Sequence, residues 1–176
     1  LQIEFSRVVQ QQTDAAQALL QRPAGEARNR QLTQLIDGML DYGELGRRSL
    51  STAEWARHSE AERTEFIGLL QQLVERAYRD NLQRTAQFNI QVVGTDTVGD
   101  AFKVRTVASS RTNRRAPPVA LDYSVRQVGG RWRVFDVHTD GVSLIATYRS
   151  QFSRIISSDG WSGLITRMRA RAAEGG

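Results

Sequence analysis

Between Arg131 and Phe152 the spacing of apolar residues changes from a period of two to a helical one within a few positions, which fixes the local fold. Trp132 and Val134 alternate with Arg131 and Arg133, the pattern of a strand with one apolar face. From Ser143 onward the apolar residues fall at Leu144, Tyr148, Phe152 and Ile155, with Ile145 and Ile156 widening the stripe. Gly141 sits in the corner, where a residue without a Cβ takes the angles a reversal needs. These positions predict a core strand turning straight into an amphipathic helix, with Ser143 capping the helix.

Upstream, the opposite change occurs. Helical spacing fills the first half: Ile3, Phe5, Val8 and Val9 open a segment that runs to Leu19-Leu20 and breaks at Pro23-Ala-Gly25. Leu32, Leu35, Ile36, Met39 and Leu40 form a second segment, and Asp41-Tyr42-Gly43 opens a short one through Leu45 and Leu50. Ser51 to Glu54 and Ser59 to Glu62 both have the form of a capping box, in which a hydroxyl and a glutamate satisfy the free amides of a helix start. The second box launches the longest helix, with a stripe at Phe66, Ile67, Leu70, Leu73, Val74, Ala77 and Tyr78 that ends near Leu82. Alternation then takes over in Phe88, Ile90 and Val92, in Phe102, Val104 and Thr106, and in Val119, Leu121, Tyr123 and Val125. Gly129-Gly130 makes a short turn into the Trp132 strand. Short connections favour an antiparallel meander, so the expected architecture is α+β: residues 1–84 mainly helical, 85–140 a four-stranded antiparallel sheet, and 141–176 C-terminal helices, in a single domain over 1–176.

The chemistry the chain lacks narrows its function. None of the 176 residues is a cysteine, so disulfides, thiol catalysis and thiolate metal sites are excluded. No apolar run approaches the roughly 18 residues of a membrane-spanning helix. The net charge of +5 favours anionic partners, and nearly all of the positive charge is arginine, since Lys103 is the one lysine. Arg111, Arg114 and Arg115 form the densest cluster, in a Ser-Thr-Asn-rich stretch ending at Pro117-Pro118 that reads as an exposed loop. No aromatic residues interleave with them, which argues against nucleic acid. The histidines are His58 and His138. Only His138-Thr-Asp140, with Ser143 nearby in sequence, resembles a catalytic grouping, and Ser143 lacks the second glycine of a nucleophile elbow. No phosphate-cradling glycine loop appears, nor any zinc or calcium ligand spacing. Neither a catalytic residue nor a metal nor a cofactor is expected.

The run Trp132-x-Val134-x-Asp136-Val137, followed by Gly141-Val-Ser-Leu144 and Tyr148-Arg-Ser-Gln-Phe152, resembles the signature of the MlaC or toluene-tolerance family. Asp41-Tyr42, Leu50, Trp55, Phe66, Leu70, Tyr78, Leu82 and Gly160-Trp161 to Ile165 extend the likeness over roughly residues 35 to 168, with Leu50-Ser51 where the family usually has Leu-Gly. The resemblance implies a curved sheet of the nuclear-transport-factor type joined to a helical subdomain around an apolar cavity. It further implies a periplasmic carrier in its mature form, without its signal peptide, holding phospholipid (in some relatives a hopanoid) as cargo and docking on an inner-membrane lipid ABC transporter complex and an outer-membrane lipoprotein complex to maintain outer-membrane lipid asymmetry. A monomer is expected. On this reading the cavity is lined by the strand residues Phe88, Ile90, Phe102, Val104, Tyr123, Val125, Trp132 and Val134 and the helix-side residues Phe66, Leu70, Leu73, Val142, Leu144, Ile145 and Tyr148. Arg111, Arg114, Arg115 and Arg149 are the candidates for partner docking, with Asp136 as an alternative mate for Arg149. The competing expectation is a domain of the same fold that holds or turns over a small metabolite, with His138, Asp136 or Asp140 as acid or base.

Overall fold

The computed structural model describes residues 2–85 and 87–174, apart from the side chains of residues 2, 3, 83 and 85, so the Ile3 side chain lies outside the described residues. Helices α1 (Gln2–Leu20), α2 (Glu26–Met39), α3 (Tyr42–Arg48), α4 (Thr52–Arg57) and α5 (Glu60–Thr85) come first. Strands β1 (Phe88–Val98), β2 (Ala101–Ser110), β3 (Val119–Val128), β4 (Arg131–Thr139) and β5 (Val142–Ser143) follow, and α6 (Leu144–Ala173) closes the chain. All strands pair antiparallel in the order β1-β2-β3-β4-β5, forming a curved open sheet. The two-residue β5 adds a fifth strand to the four that alternation predicts; two residues are too few to show a period.

Local chemistry explains the boundaries. Ser59 accepts the Glu62 amide at 3.2 Å while the Glu62 carboxylate accepts the Ser59 amide at 3.0 Å, a closed capping box. At α4 the box is half made: Ser51 accepts the Glu54 amide, but the Glu54 carboxylate turns to His58 Nε2 at 2.7 Å. Ser51 sits at φ −64°, an ordinary extended conformation that requires no glycine. Gly129 and Gly130 take φ of 58° and 78°, the left-handed pair of a two-residue hairpin.

Two strands depart from simple alternation. The register jumps between Val92 and Gly94 in β1, and in β4 Ser124 pairs with Asp136 while Val125 pairs with Val134, leaving Phe135 as an extra residue. As a result Val134, Phe135 and Asp136 are all buried in succession. The bulge sends neighbouring side chains into different cores.

Three apolar clusters result. The largest joins α3, α5 and α6 through Tyr42, Leu45, Phe66, Leu70, Val74, Ile145, Phe152 and Leu164, and takes Ala101 and Phe135 from the sheet. Phe66 stands edge-on to Phe152 at 5.5 Å, and Tyr148 stacks on Phe152. A second cluster packs Phe5 and Val9 of α1 against Val104, Val125 and Val134. The third joins Ala16, Leu32 and Leu82 where α1, α2 and α5 meet. Gly160, at φ 73° and ψ −179°, bends α6 in a conformation that side chains disfavour.

Candidate functional site

The second and third clusters do not close on each other. Between them lies a cavity of about 420 Å³. The sheet supplies one wall through Phe88, Ile90, Ala108, Val119, Leu121, Tyr123, Val134, Val137 and Thr139. Helix α1 supplies Val9, Gln12, Thr13 and Ala16, spaced to fall on one helical face. Ile36, Met39 and Leu40 come from α2 and its end, and Tyr78 and Leu82 from α5. None of these residues carries a charge at neutral pH. The polar groups are few: Thr13 donates its hydroxyl to the Val9 carbonyl at 2.9 Å, and burial pushes the phenol of Tyr123 up to about 12, with the neighbouring Tyr78 adding to the shift. Burial raises the Tyr78 phenol as well. Both remain neutral hydroxyls, so the cavity offers apolar surface and a handful of hydrogen bonds, and no group poised to exchange protons.

The cavity has a direction. Phe88 begins β1, Val119 begins β3 and Thr139 ends β4, so it runs from mid-sheet toward the end where β2 passes into β3. Thr139 is its one exposed lining residue, which puts the opening at this end.

Of the residues expected from sequence to line a cavity, Phe88, Ile90, Tyr123 and Val134 do so. Val104 and Val125 are fully buried in the α1–sheet cluster, where Phe102 and Trp132 also pack, edge-on to each other at 5.5 Å. Phe66, Leu70, Leu73, Leu144, Ile145 and Tyr148 belong to the α5–α6 cluster and do not line this cavity. Val142 is 63% exposed. Sequence reading missed the α1 wall, because a stripe reading Val, Gln, Thr, Ala is too polar to stand out; it placed Leu121 in the β3 alternation and Val137 in the family-like run without assigning either to a cavity.

The polar residues near the β4–β5 corner form a helix cap. Asp136 accepts the Ser143 hydroxyl at 2.6 Å and the amides of Val137 and Ile145 at 2.9 and 3.1 Å, while Ser143 accepts the Ala146 amide at 3.0 Å. His138 Nδ1 lies 3.8 Å from Asp136 and makes no hydrogen bond. A nucleophilic serine needs the imidazole as its acceptor, and here the hydroxyl proton goes to the carboxylate. Among the described residues no group of three or more His, Asp or Glu side chains is placed to hold a metal ion, and no helix is long and apolar enough to cross a membrane.

The expected docking arginines occupy two places. Arg111, Arg114 and Arg115 lie in the exposed loop between β2 and β3, at the open end of the cavity. Arg149 is on α6 and donates from Nε and Nη2 to the Arg48 carbonyl, so it ties α6 to α3 and does not pair with Asp136. Two carboxylates near the other end of the sheet are already matched: Arg126 binds Asp41 at 2.7 Å and Glu44 at 3.5 Å, and Arg47 and Arg48 also reach Glu44. Burial works against that ionised glutamate, yet its arginine neighbours hold it below the ordinary carboxylate value.

The fold is shared with a solved structure, a phospholipid-binding protein from Ralstonia solanacearum in complex with a phospholipid, at a TM-score of 0.76 and 22% identity over 96% of this chain and 97% of that one. A model of the MlaC protein family matches residues 7–170, nearly the whole length described. With its α+β architecture and the cavity between α1, α2, α5 and the sheet, this chain belongs to the MlaC family.

Proposed function

We propose that this chain is a periplasmic carrier that holds the acyl chains of a phospholipid in the cavity and moves the lipid between inner- and outer-membrane complexes, maintaining the lipid asymmetry of the outer membrane. The observation that carries this reading is a cavity with an uncharged lining, walled by side chains such as Ile90, Leu121, Val137 and Met39. At about 0.8 kcal/mol per CH₂, two chains of about 16 carbons cost on the order of 25 kcal/mol to expose to water. Free diffusion of such a lipid is negligible. Replacing bilayer hydrocarbon by apolar side chains brings the transfer energy close to zero, so direction is set by the donor and acceptor. Tyr78, Tyr123, Gln12 and Thr139 are the groups available to the polar part of the lipid. Docking on the membrane complexes draws on exposed arginines, with Arg111, Arg114, Arg115 and Arg149 as candidates. The reading requires no catalytic step, consistent with Ser143 and Asp136 both serving as caps for α6.

Mass spectrometry of the organic extract of purified protein tests this reading. Phospholipid at close to one mole per mole of protein is expected. A stoichiometric compact metabolite in its place, or release of free fatty acid that stops in Ser143→Ala, would show the reading to be wrong.

A further inference from the structure

The loop Arg111–Pro118 joins β2 and β3 at the open end of the cavity, next to Val119 and across the sheet from Thr139. It carries three guanidinium groups and no carboxylate. The loop is built to stay in place. Ser110 Oγ accepts the Asn113 amide at 3.0 Å, Asn113 Oδ1 accepts the Arg115 amide at 3.0 Å, and the Arg111 amide donates to the Gln87 carbonyl at 2.8 Å. The Arg111 side chain donates to the neutral Asn89 amide oxygen, which orients the guanidinium without cancelling its charge. Arg84, in the last turn of α5 beside the start of β1, is likewise hydrogen-bonded to a neutral partner, Asn81. Among the described residues no ion pair involves Arg84, Arg111, Arg114 or Arg115, whereas arginines elsewhere, such as Arg105, Arg126, Arg167 and Arg169, meet carboxylates at 3.0 Å or less. Asp140, just past Thr139, has Oδ1 engaged by the Ala120 amide.

An uncompensated set of arginines beside the opening of an apolar cavity sits where the polar end of an amphiphile comes to rest. We infer that the β2–β3 arginine loop selects the cargo by headgroup, favouring lipids with a net negative phosphodiester headgroup over zwitterionic ones. This rests on the carrier reading and adds to it the class of cargo. Guanidinium groups pair with phosphate oxygens in two-pronged geometry, while the ammonium of a zwitterionic headgroup meets like charge. Exposed contacts of this kind are individually weak and salt-sensitive, so a preference of about fivefold is expected at low ionic strength, shrinking as the Debye length shortens.

The test uses the whole chain, stripped of lipid and incubated with vesicles of equimolar phosphatidylglycerol and phosphatidylethanolamine with identical acyl chains, then re-isolated and its lipids quantified. Both lipids lie in one bilayer, so attraction of the protein to the vesicle surface acts equally on the two and the bound ratio reports headgroup choice. The wild type should hold about five phosphatidylglycerols for each phosphatidylethanolamine. In Arg114→Gln/Arg115→Gln the ratio should fall to about one, and in Arg114→Glu/Arg115→Glu it should invert. A wild-type ratio near one at full loading overturns the inference and leaves the carrier reading standing. A ratio that survives both double variants while total loading drops also overturns it, because the arginines would then act on the vesicle surface. Absence of both lipids from the wild type refutes the carrier reading itself.

Discussion

Placing a carboxylate among the acyl chains should turn lipid binding into a function of pH. Leu121 suits the purpose because it lines the cavity between Val119 and Tyr123, pairs across the ladder with Thr139 and Thr106, and has no charged residue in the lining to neutralise a newcomer. In the empty protein, water in the cavity solvates the glutamate of Leu121→Glu, and folding is little affected. When acyl chains displace that water the carboxylate must take up a proton. For a group of ordinary pKa about 4.3, protonation at pH 7.5 costs about 1.36 × 3.2, or roughly 4.4 kcal/mol, a loss of about 1,500-fold in affinity. The loss should shrink about tenfold per pH unit and fall to roughly sixfold at pH 5. Leu121→Gln provides the pH-independent control. Titrating a fluorescent-chain phospholipid into each variant between pH 5 and 8 measures the slope. Undiminished binding at pH 7.5, or a loss that does not vary with pH, would refute the placement of acyl chains against β3, and a variant that fails to fold would show position 121 to be closed core.

Three further outcomes follow from positions outside the cavity. Leu70 is fully buried within the α5–α6 cluster, so Leu70→Ala should lower unfolding free energy by about 2–5 kcal/mol in denaturant titrations while the folded fraction binds lipid as before. Glu75 on α5 has its carboxyl raised from 4.5 to about 7, chiefly by burial and then by Asp37, whose own Oδ1 accepts the Tyr42 hydroxyl; Arg79 and Gln71 pull the other way. Because the folded value lies above the unfolded one, the stabilisation from the protonated form is complete below about pH 4.5 and disappears as pH rises through 7; Glu75→Gln should remove that part of the pH dependence of thermal stability. Gly160→Ala should cost about 1–3 kcal/mol through backbone strain alone, since an added Cβ would meet no atom within 4 Å.

Most of the fold was legible because it depends on periods and caps that are local. Ser59 with Glu62, Ser143 before α6, Gly129-Gly130, and the stripe from Phe66 to Tyr78 each act within a few residues. The site was less legible, because periodicity tells which face of an element is apolar and not whether the space before that face is filled. Leu70 and Ile90 look equivalent in sequence, yet one is enclosed by α6 and the other borders a void. The β4 bulge at Phe135 was equally hidden. A strand with one extra residue, and so three buried in succession, differs from plain alternation by a single position, and only the pairing of Ser124 with Asp136 reveals it. The β2–β3 loop was no more legible, since its arginines look like any solvated charge until the cavity is seen to end beside them.

The two sides of the cavity differ in mechanical compliance. On one side β1 to β4 are cross-linked by antiparallel ladders, interrupted at the bulges in β1 and β4, so displacing one strand past another breaks several hydrogen bonds at once. On the other, α1 rests on the sheet through Phe5 and Val9 with a hydrogen bond from Trp132 to Glu4, and apolar contacts slide without directional loss. Cargo of differing bulk would then be accommodated by a soft wall moving over a stiff one, at an energetic cost that grows with exposed apolar area and leaves the ladder intact.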